Sequence, residues 1–438
     1  MLRKPDKKLL VKIPVESAFI PLAVSFVELA AKGLGLDEEA AQELSLAAEE
    51  VIAYLTGIGI SGQDVVIQCS AGSHFIKTEF SLPVQNIQLH AFNMTARVSA
   101  EDEACLDQMG LLIASRMTDR FRISRPADGN LELTLVKLLR YPEIKEETDI
   151  QTPKALTNFS IQTPDSAQIK WFVRLVNQFY PAKLFPVDLR YPGKVVDMAA
   201  AGDYHILLAN GPTGEIGGGL AWKWEGSKTI EVFGPYIFNT NSHPEIAREL
   251  METCIGNVAK TPALALISRM PTPQLPEGYL EILGILNALG PDGGAPLTAL
   301  FRLMHEDSGS VVWAHPDLVE FLQSEYHRLV FLREIQTVLS DGEAEEPFSV
   351  LSAETDRHLA VTTLRPIWYG KDYEKILADH VKLLRQESMS AIFFEMDLGL
   401  SWQTGFTPGL LKLGFIPRMI IPYAGKADLV IFELEGES

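Results

Sequence analysis

Cysteine is scarce. Cys69, Cys105 and Cys254 are the only three in 438 residues, far apart and without a CxxC pair. That excludes a disulfide framework and points to reduced thiols in a cytosolic protein. Basic residues are short as well: 38 Lys and Arg stand against 57 Asp and Glu, a net charge of −19. A chain of that sign repels phosphate backbones and anionic lipid, so neither nucleic acid nor a membrane is an expected partner. The one basic cluster is Arg3, Lys4, Lys7 and Lys8. No unbroken stretch of 18 apolar residues occurs, so no membrane span is expected, and the charged start lacks the apolar run of a secretory signal. The expected location is the cytoplasm. Short catalytic signatures are missing too: there is no GxSxG, no HExxH and no P-loop. The nine histidines show no metal-ligand spacing, so no metal site is expected.

What is present is an ordinary globular balance of 47% hydrophobic and 22% charged residues. At roughly 100–200 residues per domain, the length allows two to four cores. Two acidic, proline-flanked stretches without apolar periodicity read as linkers: Glu143 to Lys154 and Ser340 to Pro347. They divide the chain into domains expected at 1–142, 155–339 and 348–438. The fold class expected is a multidomain mixture of α+β and α/β.

In the first domain, Leu9 to Val15 is extended. Phe19, Leu22, Ala23, Phe26, Val27 and Ala30 then fall at helical spacing, with an end at Gly33. Asp37 caps a second helix carrying Ala40, Leu44, Ala47, Ala48, Val51 and Leu55. Strands follow at Val65 to Cys69 and Phe75 to Phe80, then a helix from about Asp102 to Met117 and a strand from Asn130 to Lys137. This order resembles the GHKL (histidine-kinase-like) ATPase fold in its anti-sigma-factor kinase form. Leu44-Ser45-Leu46-Ala47-Ala48-Glu49-Glu50 matches the helix that carries the family's Glu and Asn. Gly110-Leu111-Leu112-Ile113 and Met117-Thr118-Asp119 match the segment that closes over the nucleotide. Two requirements of the family are unmet: Tyr54 stands where the Mg²⁺-holding Asn belongs, and Ser81-Leu82-Pro83 stands where an Asp-x-Gly reads adenine. ATP binding is therefore not expected, and the domain is expected to be a structural or partner-binding remnant.

The second domain runs strand (Asn158 to Gln162), helix (Pro164 to Phe179), hairpin (His205 to Asn210 and Ile216 to Trp224 about Gly211-Pro212-Thr213-Gly214), strand (Lys228 to Phe238), helix (His243 to Val258) and strand (Ala263 to Ser268). That order resembles the GNAT acetyltransferase fold. The resemblance implies an acetyl-CoA or CoA site in a splay between two central strands, with pyrophosphate at the following helix start. It places the cofactor at Phe233, Gly234, Tyr236, Ser242 and Ala247, and puts Tyr279 near the tyrosine that protonates the thiolate. Tyr236, Glu231 and Tyr279 are the candidate acid/base groups. Against this, Glu245 replaces a glycine of the phosphate loop and Pro244 removes an amide donor. Further on, His315-Pro316 opens a helix with Leu318, Phe321, Leu322, Tyr326 and Leu329 on one face. With Tyr191-Pro192, it resembles bacterial proteins that fuse a GHKL domain to a GNAT domain.

The third domain is similar to a second, shortened GNAT unit: strand Leu359 to Ile367, helix Asp372 to Arg385, strand Ala391 to Glu395, then Leu413-Gly414-Phe415 before strands at Arg418 to Tyr423 and Asp428 to Leu434. Its phosphate loop is reduced to Tyr369-Gly370-Lys371-Asp372, and Ser401 and Trp402 stand where the family has an Asn and a Tyr-bearing helix. The function expected is a cytoplasmic bacterial regulatory protein that recognises a protein or small ligand. The alternative is an acyl-CoA-dependent N-acyltransferase controlled by its first domain.

Overall fold

A computed structural model describes residues 7–57, 63–82, 89–96, 103–124, 131–144, 150–239, 245–287, 296–338 and 347–435. The chain divides into two units: residues 1–140 with 345–352 and 366–380, and residues 141–344 with 353–365 and 381–438. Of the two stretches expected to be linkers, 145–149 and 340–346 lie outside the described residues. The flanks of the first are held rather than free, since Ile144 and Ile150 pack on the core of the second unit.

The first unit contains β1 (Lys8–Pro14), α1 (Ile20–Leu34), α2 (Glu38–Gly57), β2 (Asp64–Ala71), β3 (Phe75–Leu82), α3 (Glu103–Met117), β4 (Arg120–Ser124) and β5 (Leu131–Leu138). Asp37 caps α2 as its sequence position predicts, accepting a hydrogen bond from Ala40 N–H at 2.8 Å. The first helix overruns its expected end at Gly33 and stops at Gly35, whose φ of 123° suits glycine alone. The strands form one antiparallel sheet, β1-β2-β3-β5-β4, and its buried face packs on Ala23, Val27, Ala31, Leu44, Ala48 and Val51 of the helices. β4 is an element that the sequence pattern does not reveal: five residues at a sheet edge, only one of them buried. One window, Ser17–Leu34, has a mean hydropathy of 1.4 and passes, by length and composition alone, as long and apolar enough to cross a bilayer. The unbroken-run criterion misses it because Ser17, Ser25, Glu28 and Lys32 interrupt the run without lowering the average enough.

The second unit opens with β6 (Ser160–Gln162), α4 (Ser166–Phe179), α5 (Pro192–Ala201), β7 (His205–Asn210), β8 (Ile216–Trp224), β9 (Thr229–Ile237), α6 (Ile246–Val258), β10 (Ala265–Ser268), β11 (Glu281–Leu286) and β12 (Leu297–Leu303). Asp165 and Gln168 form a capping box that starts α4. The seven strands order as β11-β12-β10-β9-β8-β7-β6, antiparallel except for the β9/β10 pair that α6 connects. The α4 face of this sheet buries Phe172, Val176, Phe233 and Tyr236; the α6 face buries Leu207, Leu220, Val232 and Leu250. Then come β13 (Ser310–Ala314), α7 (Val319–Leu329) and β14 (Arg333–Thr337), with β13 and β14 a parallel pair. His315 opens the α7 segment as expected, its side chain accepting from Asp317 N–H.

Residues 350–434 supply β15 (Val350–Asp356), β16 (Val361–Trp368), α8 (Tyr373–Gln386), β17 (Ala391–Asp397), α9 (Thr407–Lys412), β18 (Phe415–Ile421) and β19 (Leu429–Leu434). Their sheet order is β15-β16-β17-β19-β18, with β16/β17 the parallel pair. The same order appears in the seven-stranded sheet as β8-β9-β10-β12-β11. In both, a helix connects the parallel strands and the last strand inserts beside the second of them. The architecture is a mixed α/β chain with several sheets.

Candidate functional site

The parallel pair β9/β10 is where the resemblance places a cofactor. Thr229, Ile230 and Glu231 pair with Ala265, Leu266 and Ile267, after which the ladder stops. β9 shifts register against β8 between Gly219 and Ala221, and Gly234 adopts a φ of 97°. A Cβ on Gly234 would lie 2.9 Å from atoms of Tyr236, so glycine is required there on both counts. Gly234 then makes one isolated parallel bridge to Pro271.

Several main-chain groups beyond this point are bonded inside the protein. Phe238 N–H bonds Gly217 O on β8, so by strand alternation the N–H and C=O of Ile237 face the opposite way. Tyr180, the residue after α4, meets them: Ile237 N–H donates to its hydroxyl at 2.6 Å. The hydroxyl has two acceptors within reach, Gln274 Oε1 at 3.1 Å and Ile237 O at 3.2 Å. Thr272 Oγ1 donates to Pro235 O at 2.7 Å. Tyr180 and Thr272 are both buried, and burial pushes the Tyr180 phenol up to about 12.

Of the predicted site residues that lie among the described ones, Phe233, Gly234 and Tyr236 share β9, while Ala247 lies on α6 and Tyr279 on the α6 side. Phe233 and Tyr236 belong to the α4-side core, where the Tyr236 hydroxyl donates to Leu184 O at 3.0 Å and burial raises its pKa. Tyr279 packs on the α6 side, its hydroxyl donating to Glu252 Oε1 at 2.7 Å, which raises its pKa. The Tyr279 segment leads into strand β11 rather than a helix. Ala247 lies half-buried in the first turn of α6. Ser242 and Pro244 fall outside the described residues; Glu245, at the helix start, is 2.7 Å from Arg248.

Glu231, the third acid/base candidate, is locked in an ion pair. Arg269 approaches it with Nε at 2.7 Å from Oε1 and Nη2 at 2.6 Å from Oε2, and the same Nη2 reaches Glu225 at 2.6 Å. Burial alone would raise the Glu231 carboxyl, but Arg269 outweighs it and holds the group below the usual range. Arg269 Nη1 lies 3.9 Å from Glu395 on β17, and Glu395 accepts from Arg365 Nε at 2.5 Å. Arg365 in turn donates to Glu354 at 2.7 Å. Arg365 and Glu395 directly follow the paired Leu364 and Phe394, so the ladder of charges occupies the end of the parallel pair in both sheets. Sequence reasoning singled out Glu231 and missed Arg269, Arg365 and Glu395. A second buried polar centre was also missed: Asp188 bonds Lys194 at 2.6 Å and accepts from the Tyr204 hydroxyl at 3.3 Å.

The reduced loop before α8 is a stitched turn. Gly370 N–H donates to Ser349 Oγ at 2.9 Å, Ser349 N–H donates to Asp372 at 2.6 Å, and a Cβ on Gly370 would lie 2.3 Å from the Phe348 main chain. The Gly370 amide is thus bonded within the chain, as in a plain turn. In the first unit, Tyr54 is 7% exposed within the core, and Ser81 is paired on both sides within β3, with Val66 and Glu132. Gly110 passes over Glu50 so closely that a Cβ would sit 2.6 Å from Oε2; burial, then Glu49, raises the Glu50 carboxyl. Among the described residues, no group of three or more His, Cys, Asp or Glu is placed to hold a metal ion.

No protein-family model and no curated protein matches the chain. Solved structures do. An N-acetyltransferase from Staphylococcus aureus is similar at 11% identity and a TM-score of 0.29, over 34% of this chain and 100% of its own. A GNAT-superfamily phosphinothricin acetyltransferase from Sinorhizobium meliloti, solved with acetyl-CoA, gives 12% identity and a TM-score of 0.29 over 34% of this chain and 90% of its own. A protein assigned to the GNAT family from Desulfovibrio desulfuricans gives 15% and 0.28 over 34% and 100%. In each case the matched region spans about a third of this chain. At these identities and TM-scores the likeness assigns no activity.

Proposed function

We propose that this chain is a regulatory recognition protein whose GNAT-type acyl-CoA cleft has become a closed structural element, and that it recognises a protein or a small ligand instead of transferring an acyl group. The observation that carries this is the Tyr180 hydroxyl on Ile237 N–H, because a main-chain donor already bonded inside the protein is not offered to a cofactor. The Thr272 bond to Pro235 O and the Arg269 pairing of Glu231 support the same conclusion. So does the carboxylate of Glu245 at the start of α6, where a pyrophosphate would need positive or neutral surroundings. In the first unit, Tyr54 in the core and Ser81 in mid-strand support a GHKL-derived scaffold that acts without ATP. A second reading, an acyl-CoA-dependent N-acyltransferase, is favoured by the intact β9-α6-β10 parallel crossover.

Calorimetric titration of acetyl-CoA and CoA into the full chain at fixed ionic strength separates the two. The recognition reading expects no saturable binding in the micromolar range by the native chain, and a gain of affinity when Tyr180→Phe and Thr272→Val free the Ile237 and Pro235 groups. Micromolar binding by the native chain, with acetyl transfer to an amine, would establish the acyltransferase instead.

A further inference from the structure

The two-stranded parallel sheet β13/β14 leaves one edge open. Ser310 N–H bonds Leu332 O at 3.2 Å, Val338 N–H bonds Ala314 O at 3.0 Å, and Ser310, Val312 and Ala314 stand opposite Arg333, Ile335 and Thr337. This register spends the main-chain groups of Leu332, Glu334, Gln336 and Val338 on β13 and turns those of Arg333, Ile335 and Thr337 away from it. The far edge of β13 is met by Leu398 O, which accepts from Trp313 N–H at 2.8 Å. Among the described residues, nothing bonds the outward groups of β14. Solvent reaches them: the Arg333 side chain is 0% exposed while the residue as a whole is half-buried, so its main chain carries the exposure.

The approach to this edge is apolar. Val330 is 77% and Leu332 67% exposed, and Val311 on β13 is 42% exposed. Val330 ends α7 at φ 57° and ψ 38°, a left-handed conformation in which a β-branched residue is strained and glycine is not. An exposed apolar side chain kept at such a position points to a contact outside the fold.

We propose that β14 is a docking edge for an extended basic segment of a partner protein, which adds to it as an antiparallel strand. The inference goes beyond the closed cleft and does not depend on it, since β14 belongs to neither GNAT-like sheet. Arg333, Ile335 and Thr337 each offer an N–H and a C=O, so three guest residues opposite them can bond on both counts. The guest residues between these share a face with Leu332, Glu334 and Gln336. On that face Glu334 accepts only from Gln336 Nε2, at 3.2 Å, and has no cation beside it among the described residues. Behind the strand, Arg333 is matched by Asp307 at 2.5 Å and Asp428 at 2.6 Å, so one positive and two negative groups leave that buried trio negative. The edge is therefore acidic, in a chain of net charge −19, and it attracts a basic guest and repels a second copy of the chain. Antiparallel addition sets the order of the guest: a Lys or Arg opposite Glu334, then any residue, then a large apolar one opposite Leu332.

Calorimetric titration of the full chain with the capped peptide Ser-Val-Thr-Val-Lys-Val-Leu tests this, its three valines standing opposite Thr337, Ile335 and Arg333. Saturable binding with a dissociation constant below about 1 mM is expected. N-methylation of the three valine amides removes the guest's donors and should weaken binding by about tenfold or more. Exchanging the peptide's Lys for Glu should weaken it as well. Thr337→Pro removes one outward N–H while leaving the bonds to β13 in place, and should weaken binding with an unchanged circular dichroism spectrum. No binding by the native chain overturns the inference. So does equal binding of the methylated or the Glu peptide, or of the native peptide to Thr337→Pro. Sedimentation showing a native dimer that Thr337→Pro dissociates would assign the edge to a second copy instead.

Discussion

Replacing Arg269 with methionine tests whether the charge ladder is a structural lock. The substitution keeps most of the volume and removes every donor that Glu231 and Glu225 share. Glu231 has a side chain only 2% exposed and would be left charged without its bidentate partner. Breaking a buried pair on one side costs about 3–5 kcal/mol, because the surviving charge loses its compensation. The cost depends on pH with a definite sign. In the native chain the Glu231 carboxyl sits below its ordinary range, so its contribution is present at neutral pH and is lost only as acid protonates it. Without Arg269, burial dominates and lifts the carboxyl above its ordinary value of about 4.3. The variant is then penalised most where Glu231 must be ionised, and the penalty shrinks as pH falls and the proton binds. Urea unfolding followed by tryptophan fluorescence at about pH 8 and about pH 5.5 measures both effects, since Trp222 and Trp224 flank the pair in register on β8. The expected loss is several kcal/mol at the higher pH and clearly less at the lower. Adding Glu231→Gln to the variant removes the stranded charge and should restore much of the difference. A loss under about 1 kcal/mol, or the same loss at both pH values, would refute the lock.

Two further outcomes follow from buried side chains. His380 on α8 is fully buried, its Nδ1 bonded to Ile376 O at 2.8 Å and its Nε2 without a partner among the described residues; burial lowers its pKa to about 4. A histidine held neutral by the fold contributes fully above its unfolded value of about 6.5 and progressively less as pH falls toward the folded one, up to about 3 kcal/mol. Thermal melts of native and His380→Leu chains between those values should show a shallower slope for the variant, and equal slopes would contradict the assignment. On the proposed reading of the first unit as a GHKL-derived scaffold, with Tyr54 in the core and Ser81 in mid-strand, calorimetry should detect no micromolar Mg²⁺-dependent ATP binding; detecting it would reopen the nucleotide reading.

The local elements were legible in the sequence where their signals are local. The hairpin β7/β8 falls on the expected residues because alternation and a Gly-Pro-Thr-Gly turn lie within a few positions of each other. The start of α2 follows from Asp37, whose capping partner is three residues away, whereas α4, read as opening at Pro164, begins at Ser166 behind its Asp165 cap. By contrast, β4, β11, β12 and β15 were not anticipated; each lacks a clean alternation of buried and exposed residues, and β4, β11 and β15 are edge strands. The short α5 was missed because its Ala-rich pattern has little apolar periodicity. The candidate site was less legible still. Glycine at 234 and a glutamate at 231 are visible in the sequence, but Tyr180 reaches Ile237 across 57 positions and Arg269 reaches Glu231 across 38. Whether a main-chain donor or a carboxylate is open or spent depends on which distant side chain the fold brings within 3 Å. Composition and spacing along the chain determine the elements and the residue types available to a site; only their tertiary placement decides which of those groups remain free to act.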